Sequence, residues 1–201
     1  MEKRMLLIVD PQVDFVTGSL KTKYGMLAME NLCRMLMNEG VLRYDEIVVT
    51  SDSHPANHCS FTEQGGPFPS HCVAGTHGFE LYPSLEEVLK LLGRYCGLRT
   101  RRLAKGTNPD REEFSIFQDS FSAEVLDMVL TDQNYTAVDV CGIATDYCVF
   151  QTLKDLVSRH PNLKIRVIID CCAAVDESDT RLEDFCAENG IKIVHTTINQ
   201  C

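Results

Sequence analysis

A chain of 201 residues, 44% of them hydrophobic, can bury a sizeable core and is expected to form one domain over 1–201. The formal net charge of -10 argues against a nucleic-acid or anionic-membrane surface, and no stretch reads as a signal peptide or is long enough to span a bilayer. Ten cysteines without a CxxC pair read as reduced thiols of a cytoplasmic protein, not as a disulfide framework or a zinc ribbon.

In chain order, the first predicted strand covers 5–9 and runs into Asp10-Pro11. A helix over 26–38 follows, closed by Gly40, then a strand over 46–50. Residues 51–83 break the rhythm with Gly65-Gly66, Pro55, Pro67 and Pro69 and carry four of the six histidines, so a functional loop is expected there. A helix over 84–92 ending at Gly93 leads to a strand over 98–104. Next come a helix over 122–130 opened by a serine cap, a strand over 137–141 and a helix over 146–158. A strand over 165–169, a helix over 179–188 closed at Asn189-Gly190 and a strand over 191–195 complete the chain. The strands are rich in Val, Ile and Leu with little alternation, as expected when both faces are covered. Six strands alternating with helices predict a three-layer α/β/α fold around a doubly wound, mostly parallel sheet.

In such a sheet ligands bind at the carboxyl ends of the strands. Asp10, Asp52, Lys105 and the turn bearing Cys148 all follow predicted strand ends, so they are expected on one rim. Cys148 stands where a helix should begin, and the free N–H groups and helix dipole there favour a thiolate. Asp10 could accept the thiol proton if burial raises its pKa, Lys105 would supply the opposite charge, and the N–H groups of Ala144 and Cys148 could form an oxyanion hole. Each residue also has an ordinary role open to it: a small buried thiol, a strand terminator, a solvated lysine. Asp52-Ser53-His54 places two ligands on one side of an extended segment, and His71 could fold back to them. One carboxylate and two imidazoles suit Zn²⁺, Fe²⁺ or Mn²⁺, with His58 or Glu63 as candidates for a fourth ligand. Phe15 and Phe68 could sandwich a flat ring, or serve as core phenylalanines.

Leu7-Ile8-Val9-Asp10-Pro11-Gln12-Val13-Asp14-Phe15 resembles the opening strand and aspartate of the nicotinamidase/pyrazinamidase branch of the isochorismatase-like cysteine hydrolases. Asp52-Ser53-His54-Pro55-Ala56-Asn57-His58-Cys59-Ser60-Phe61 and Pro69-Ser70-His71-Cys72-Val73-Ala74-Gly75-Thr76 resemble that family's two metal segments. Lys105-Gly106 and Gly142-Ile143-Ala144-Thr145-Asp146-Tyr147-Cys148-Val149 resemble its lysine and nucleophile motifs. The five motifs occur in order and run nearly end to end. The resemblance implies a six-stranded parallel sheet between helices and a catalytic triad of Asp10, Lys105 and Cys148. It also implies a metal on Asp52, His54 and His71, and a cis peptide between Ile143 and Ala144. It implies conversion of nicotinamide to nicotinate and ammonia through a Cys148 thioester, in NAD salvage, with the metal holding the pyridine nitrogen. Relatives acting on isochorismate or carbamoyl compounds generally lack the D-x-H…H set. The expected partner is thus a small pyridine or pyrazine carboxamide, with neither nucleic acid nor membrane; homo-oligomers are frequent among relatives, though no feature of this chain marks an interface. The chain departs from the family in having Phe68 where tryptophan is common. Two alternatives stand beside this reading: another small-amide cysteine hydrolase of the same superfamily, and a non-catalytic thiol or metal-binding protein.

Overall fold

The computed structural model describes residues 2–196. Six strands form one sheet: β1 (Arg4–Val9), β2 (Glu46–Asp52), β3 (Arg99–Lys105), β4 (Ala137–Ile143), β5 (Lys164–Ala173) and β6 (Lys192–Val194). Their order is β3-β2-β1-β4-β5-β6 and every pairing is parallel. The sheet is therefore wholly parallel where the sequence predicts a mostly parallel one. Every residue of β4 and all but the first of β1 are buried, which explains their unbroken apolar character. β3, at one edge, exposes Arg99 and Arg102, half-buries Thr100 and Arg101, and carries its charge outward.

The helices are α1 (Val13–Val16), α2 (Gly25–Arg43), α3 (Pro83–Cys96), α4 (Ser120–Asp132), α5 (Phe150–Arg159) and α6 (Arg181–Glu188). Each long helix buries one stripe: Met29, Leu32 and Leu36 on α2, Leu85, Leu89 and Leu92 on α3, Leu126 and Val129 on α4, Leu153 and Leu156 on α5. α2 packs on α3, while α4 and α5 both flank the turn at Ile116–Gln118, so the sheet is covered on its two faces.

Several boundaries move from the sequence expectation. Gly40 lies inside α2, and tertiary packing carries the helix on to Arg43. Gly97, not Gly93, closes α3, in the left-handed conformation at φ 69°. Asp119 caps α4, accepting from the Ser122 N–H, while the Ser122 hydroxyl donates to the Ala104 carbonyl at 2.6 Å. α6 begins at Arg181, two residues later than predicted. β2 and β3 each run through the residue the sequence placed just beyond the strand, Asp52 and Lys105.

Strand order reverses between β1 and β4. The chain winds from β1 outward to β3, returns to the other side of β1, and winds the opposite way. Connections leaving β1 and β4 thus diverge and open a crevice at their carboxyl ends, the ligand position of doubly wound sheets. Asp10 immediately follows β1 and Cys148 follows β4.

Candidate active site

Asp10 leaves β1 with φ 46°, an unusual conformation for a residue with a side chain, and is fully buried. Thr50 of β2 donates its hydroxyl to Asp10 Oδ1 at 2.6 Å. Lys105 stands two strands away and is itself fully buried, paired in register with Asp52. Its long side chain crosses back over β2, which puts Nζ 2.9 Å from Asp10 Oδ2, 2.5 Å from Asp52 Oδ1 and 3.5 Å from Cys148 Sγ. Cys148 lies within a turn of π-helix, Thr145–Val149, that feeds α5, and the preceding Ile143–Ala144 peptide is cis. π-turns of this kind occur preferentially at functional sites. Asp10, Asp52 and Cys148 each offer an atom within 4.8 Å of the others.

Burial raises the Asp10 pKa, with Asp52 adding to the effect and Lys105 and Thr50 opposing it. Burial acting alone would lower the Lys105 ammonium, but Asp10 and Asp52 outweigh it and hold it well above its usual range. The thiol corrects a sequence expectation. The helix start and Lys105 were expected to favour a thiolate. Instead burial, joined by Asp10 and Asp52, pushes Cys148 well above the ordinary thiol range, against Lys105. The resting pair is a protonated thiol beside a carboxylate of raised basicity, held by one ammonium.

Asp52, His54 and His71 present ligand atoms within 4.8 Å of one another, and all three are buried. His54 Nδ1 lies 2.9 Å from the Gly106 carbonyl, which directs Nε2 into the group; that Nε2 is buried without a partner among the described residues. His71 Nδ1 lies 2.8 Å from the Pro69 carbonyl, again turning Nε2 inward. Burial, with His58 and His71 nearby, lowers His54 to about 4 against the Gly106 contact, so the imidazole is neutral and able to ligate. An orphaned imidazole nitrogen beside a carboxylate and a second imidazole fits a divalent cation. Behind the ligands, Glu113 accepts from the Gly106 N–H at 2.8 Å, and Asp14 accepts from the N–H of Cys72, which follows His71 at φ 47°. Neither candidate for a fourth ligand joins this trio. His58 stacks on His54 at 3.9 Å and has its nitrogens against Ser60 Oγ and the Arg111 carbonyl. Glu63 is exposed and accepts from Thr62 and Ser70.

A small pocket opens onto Cys148. It is lined by Phe15 and Phe68, as the sequence suggested, and by Phe114, Tyr147, Glu112 and Val175, which it did not. Its free volume is about 30 Å³; Phe68 packs edge-on against Tyr147 at 5.8 Å and Phe114 packs tilted against it at 5.5 Å. Larger clefts, about 690 Å³ beside α3 and β3 and about 800 Å³ at the amino ends of β1 and β5, contain none of Asp10, Lys105 and Cys148. Phe15 and Phe68 both approach His71, at 5.5 and 5.9 Å. Phe61, fully buried among His54, His58 and His71, anchors the loop from within. Glu112 keeps one buried oxygen without a partner and lies within ligand distance of His54 and His58. Nothing in the irregular stretch after Lys105 marks Glu112 in the sequence, whereas Tyr147 could have been suspected from its place beside Cys148.

Residues 99–185 match the isochorismatase domain family. The nicotinamidase/pyrazinamidase of Mycobacterium tuberculosis is 33% identical over 186 residues, covering 88% of this chain and 90% of that protein. Pyrazinamidase of Pyrococcus horikoshii, solved in complex with zinc, superposes with a TM-score of 0.78 at 29% identity, over 96% of this chain and 99% of that one. PnC1 from L. infantum, solved in complex with nicotinate, gives 0.80 at 29% identity, over 97% and 93%. With the crevice, the buried triad-like cluster and these relatives in agreement, the chain belongs to the nicotinamidase/pyrazinamidase family of isochorismatase-like hydrolases.

Proposed function

We propose that the protein hydrolyses nicotinamide to nicotinate and ammonia, a step of NAD salvage, with Asp10, Lys105 and Cys148 as its catalytic residues. The observation that carries this reading is the single buried ammonium of Lys105, in reach of Asp10, Asp52 and Cys148 at once. It ties a thiol and its base to a candidate metal-ligand cluster beside one small pocket that Cys148, Asp52 and His71 line. Asp52, His54 and His71 would hold the cation, and the zinc complex of the similar Pyrococcus horikoshii pyrazinamidase supports Zn²⁺ among the ions this donor set suits. When bound, the ion supplies a Lewis-acid contact for the pyridine nitrogen and so orients the ring.

The residues then act as follows. Asp10 takes the Cys148 proton as sulfur attacks the carboxamide carbon, and Lys105 balances the charge. The N–H groups of Ala144 and Cys148 hold the oxygen that becomes negative. Protonated Asp10 gives its proton to the amide nitrogen; the C–N bond breaks, ammonia leaves and a thioester remains. Asp10 next removes a proton from water, whose oxygen attacks the thioester. The C–S bond breaks, the proton returns to sulfur, and nicotinate is released. Phe15 and Phe68 flank the ring.

Ammonia release from nicotinamide by purified, metal-loaded protein tests this directly. Wild type should turn over and Cys148→Ala should lose activity by about 10⁴-fold or more, with fold and metal content unchanged. Substantial turnover by Cys148→Ala would refute the thioester route. His54→Ala should lose bound metal and nicotinamide affinity together, and an unchanged metal content would remove His54 from the ligand set. Turnover of other small amides with none of nicotinamide would move the activity elsewhere in the superfamily, with Phe68 the first pocket residue to exchange.

A further inference from the structure

We propose that Gln12 is a positioning residue that locks Asp52, so that one carboxylate oxygen stays on Lys105 while the other faces the metal cluster. The inference rests on the proposed metal role of Asp52. Asp52 Oδ1 lies 2.5 Å from Lys105 Nζ, and Oδ2 lies 3.8 Å from His54 Nε2. A carboxylate serving two neighbours in this way tolerates little rotation of its own main chain.

That main chain lacks the usual support on one side. β1 and β2 pair only as far as Ile8 and Val49. Beyond that point β1 turns away at Asp10, φ 46°, and can offer Asp52 no backbone partner. The Gln12 side chain takes its place. Oε1 accepts from the Asp52 N–H at 2.7 Å, and Nε2 donates to the Asp52 carbonyl at 2.8 Å. The primary amide thus reproduces the donor and acceptor of a peptide group, and the ladder is extended by a side chain. The second Nε2 hydrogen goes to the Phe79 carbonyl at 2.9 Å, which fastens the far end of the 51–83 loop to the same point. Gln12 is fully buried, and its own N–H is bonded to the Asp10 carbonyl at 2.8 Å. One three-residue segment therefore sets both Asp10 and Asp52.

The chemistry is specific to glutamine. Glutamate would aim a second oxygen at two carbonyls, and methionine would fill the space without bonding either group.

Zinc affinity of the metal-stripped protein, measured by competition with a chromogenic chelator, tests the role without reference to turnover. Wild type, Gln12→Met, Gln12→Glu and Asp52→Ala are compared, with Ile168→Ala in the β5 core as a control for general destabilisation. Both Gln12 variants should bind zinc roughly 10–100-fold more weakly, the usual effect of losing a partner that orients a metal ligand, while Ile168→Ala binds as wild type. Having two Gln12 variants keeps the test open should one fail to fold. Wild-type zinc affinity in a folded Gln12 variant, with Asp52→Ala impaired, would overturn the positioning role and leave the metal site standing. An equal loss in Ile168→Ala would also overturn it, by tracing the effect to stability. Undiminished affinity in Asp52→Ala would instead sink the metal reading, and the role of Gln12 with it.

Discussion

At the scale of single residues, the site stores its reactivity as proximity rather than as a preformed thiolate. Cys148 is protonated at rest because burial and two carboxylates outweigh one ammonium. The sign is testable on the metal-free protein. A thiol pKa raised in the folded state means that the thiolate fraction keeps climbing as pH rises through and past 9. Alkylation of Cys148 by iodoacetamide, followed on its own peptide by mass spectrometry, should therefore accelerate steadily up to pH 9 and beyond, without levelling off near neutrality. A plateau below pH 8 would show a thiolate already formed and would restore the helix-dipole expectation. The same scale explains why Thr50 matters: its hydroxyl is the hydrogen-bond donor on Asp10 Oδ1, and nothing in an apolar strand pattern distinguishes it.

At the scale of elements, strand ends and the turns leaving them fix the geometry. Gly142 in β4 has φ 126°, and a β-carbon there would lie 2.0 Å from the Val9 carbonyl oxygen of β1. The register of β4 against β5 also shifts between Val140 and Gly142. A bare backbone is required where β4 presses on β1 just ahead of the turn bearing Cys148. Gly142→Ala should cost roughly 2 kcal/mol or more from strain and overpacking, read as a lower urea midpoint with loss of activity. An unchanged midpoint would mean that the two strands separate more freely than this approach implies. The turn bearing Cys148 has a second brace, because Asp146 accepts from the Val175 and Asp176 N–H groups at 3.0 and 2.8 Å.

Over the whole molecule, the two ends of the sheet handle buried charge in opposite ways. At the carboxyl end, one lysine serves two carboxylates and leaves oxygen and nitrogen atoms without aligned partners. At the amino end, the fully buried Asp139 of β4 is saturated: Arg4 at 2.5 Å, Arg166 at 2.6 and 2.8 Å, and the Tyr44 hydroxyl at 2.9 Å. The first arrangement suits chemistry and the second suits stability. Asp139→Ala should destabilise the fold by about 3 kcal/mol, near the lower end for a broken buried ion pair, since the arginines can still reach water. Chemical denaturation would measure it, and the protein that remains folded should keep its turnover. A loss of turnover without a loss of stability would mean that the amino end communicates with the site.

The sequence by itself determined the α/β architecture, because unbroken Val, Ile and Leu runs alternating with amphipathic stretches have few other folded solutions. It also determined which acidic, basic, thiol and imidazole groups stand at strand ends, and motif order named the family. Tertiary structure decided what those groups do to one another. No local pattern tells that Lys105 reaches across a strand to Asp10 and Cys148, that burial raises the thiol pKa, or that Glu112 enters the pocket. The capping residues differ for the same reason: Gly40 lies inside a helix that tertiary packing extends to Arg43, and Gly97 closes α3. Charge, burial and hydrogen bonding depend on distances through space, and those exist only once the strands have taken their order.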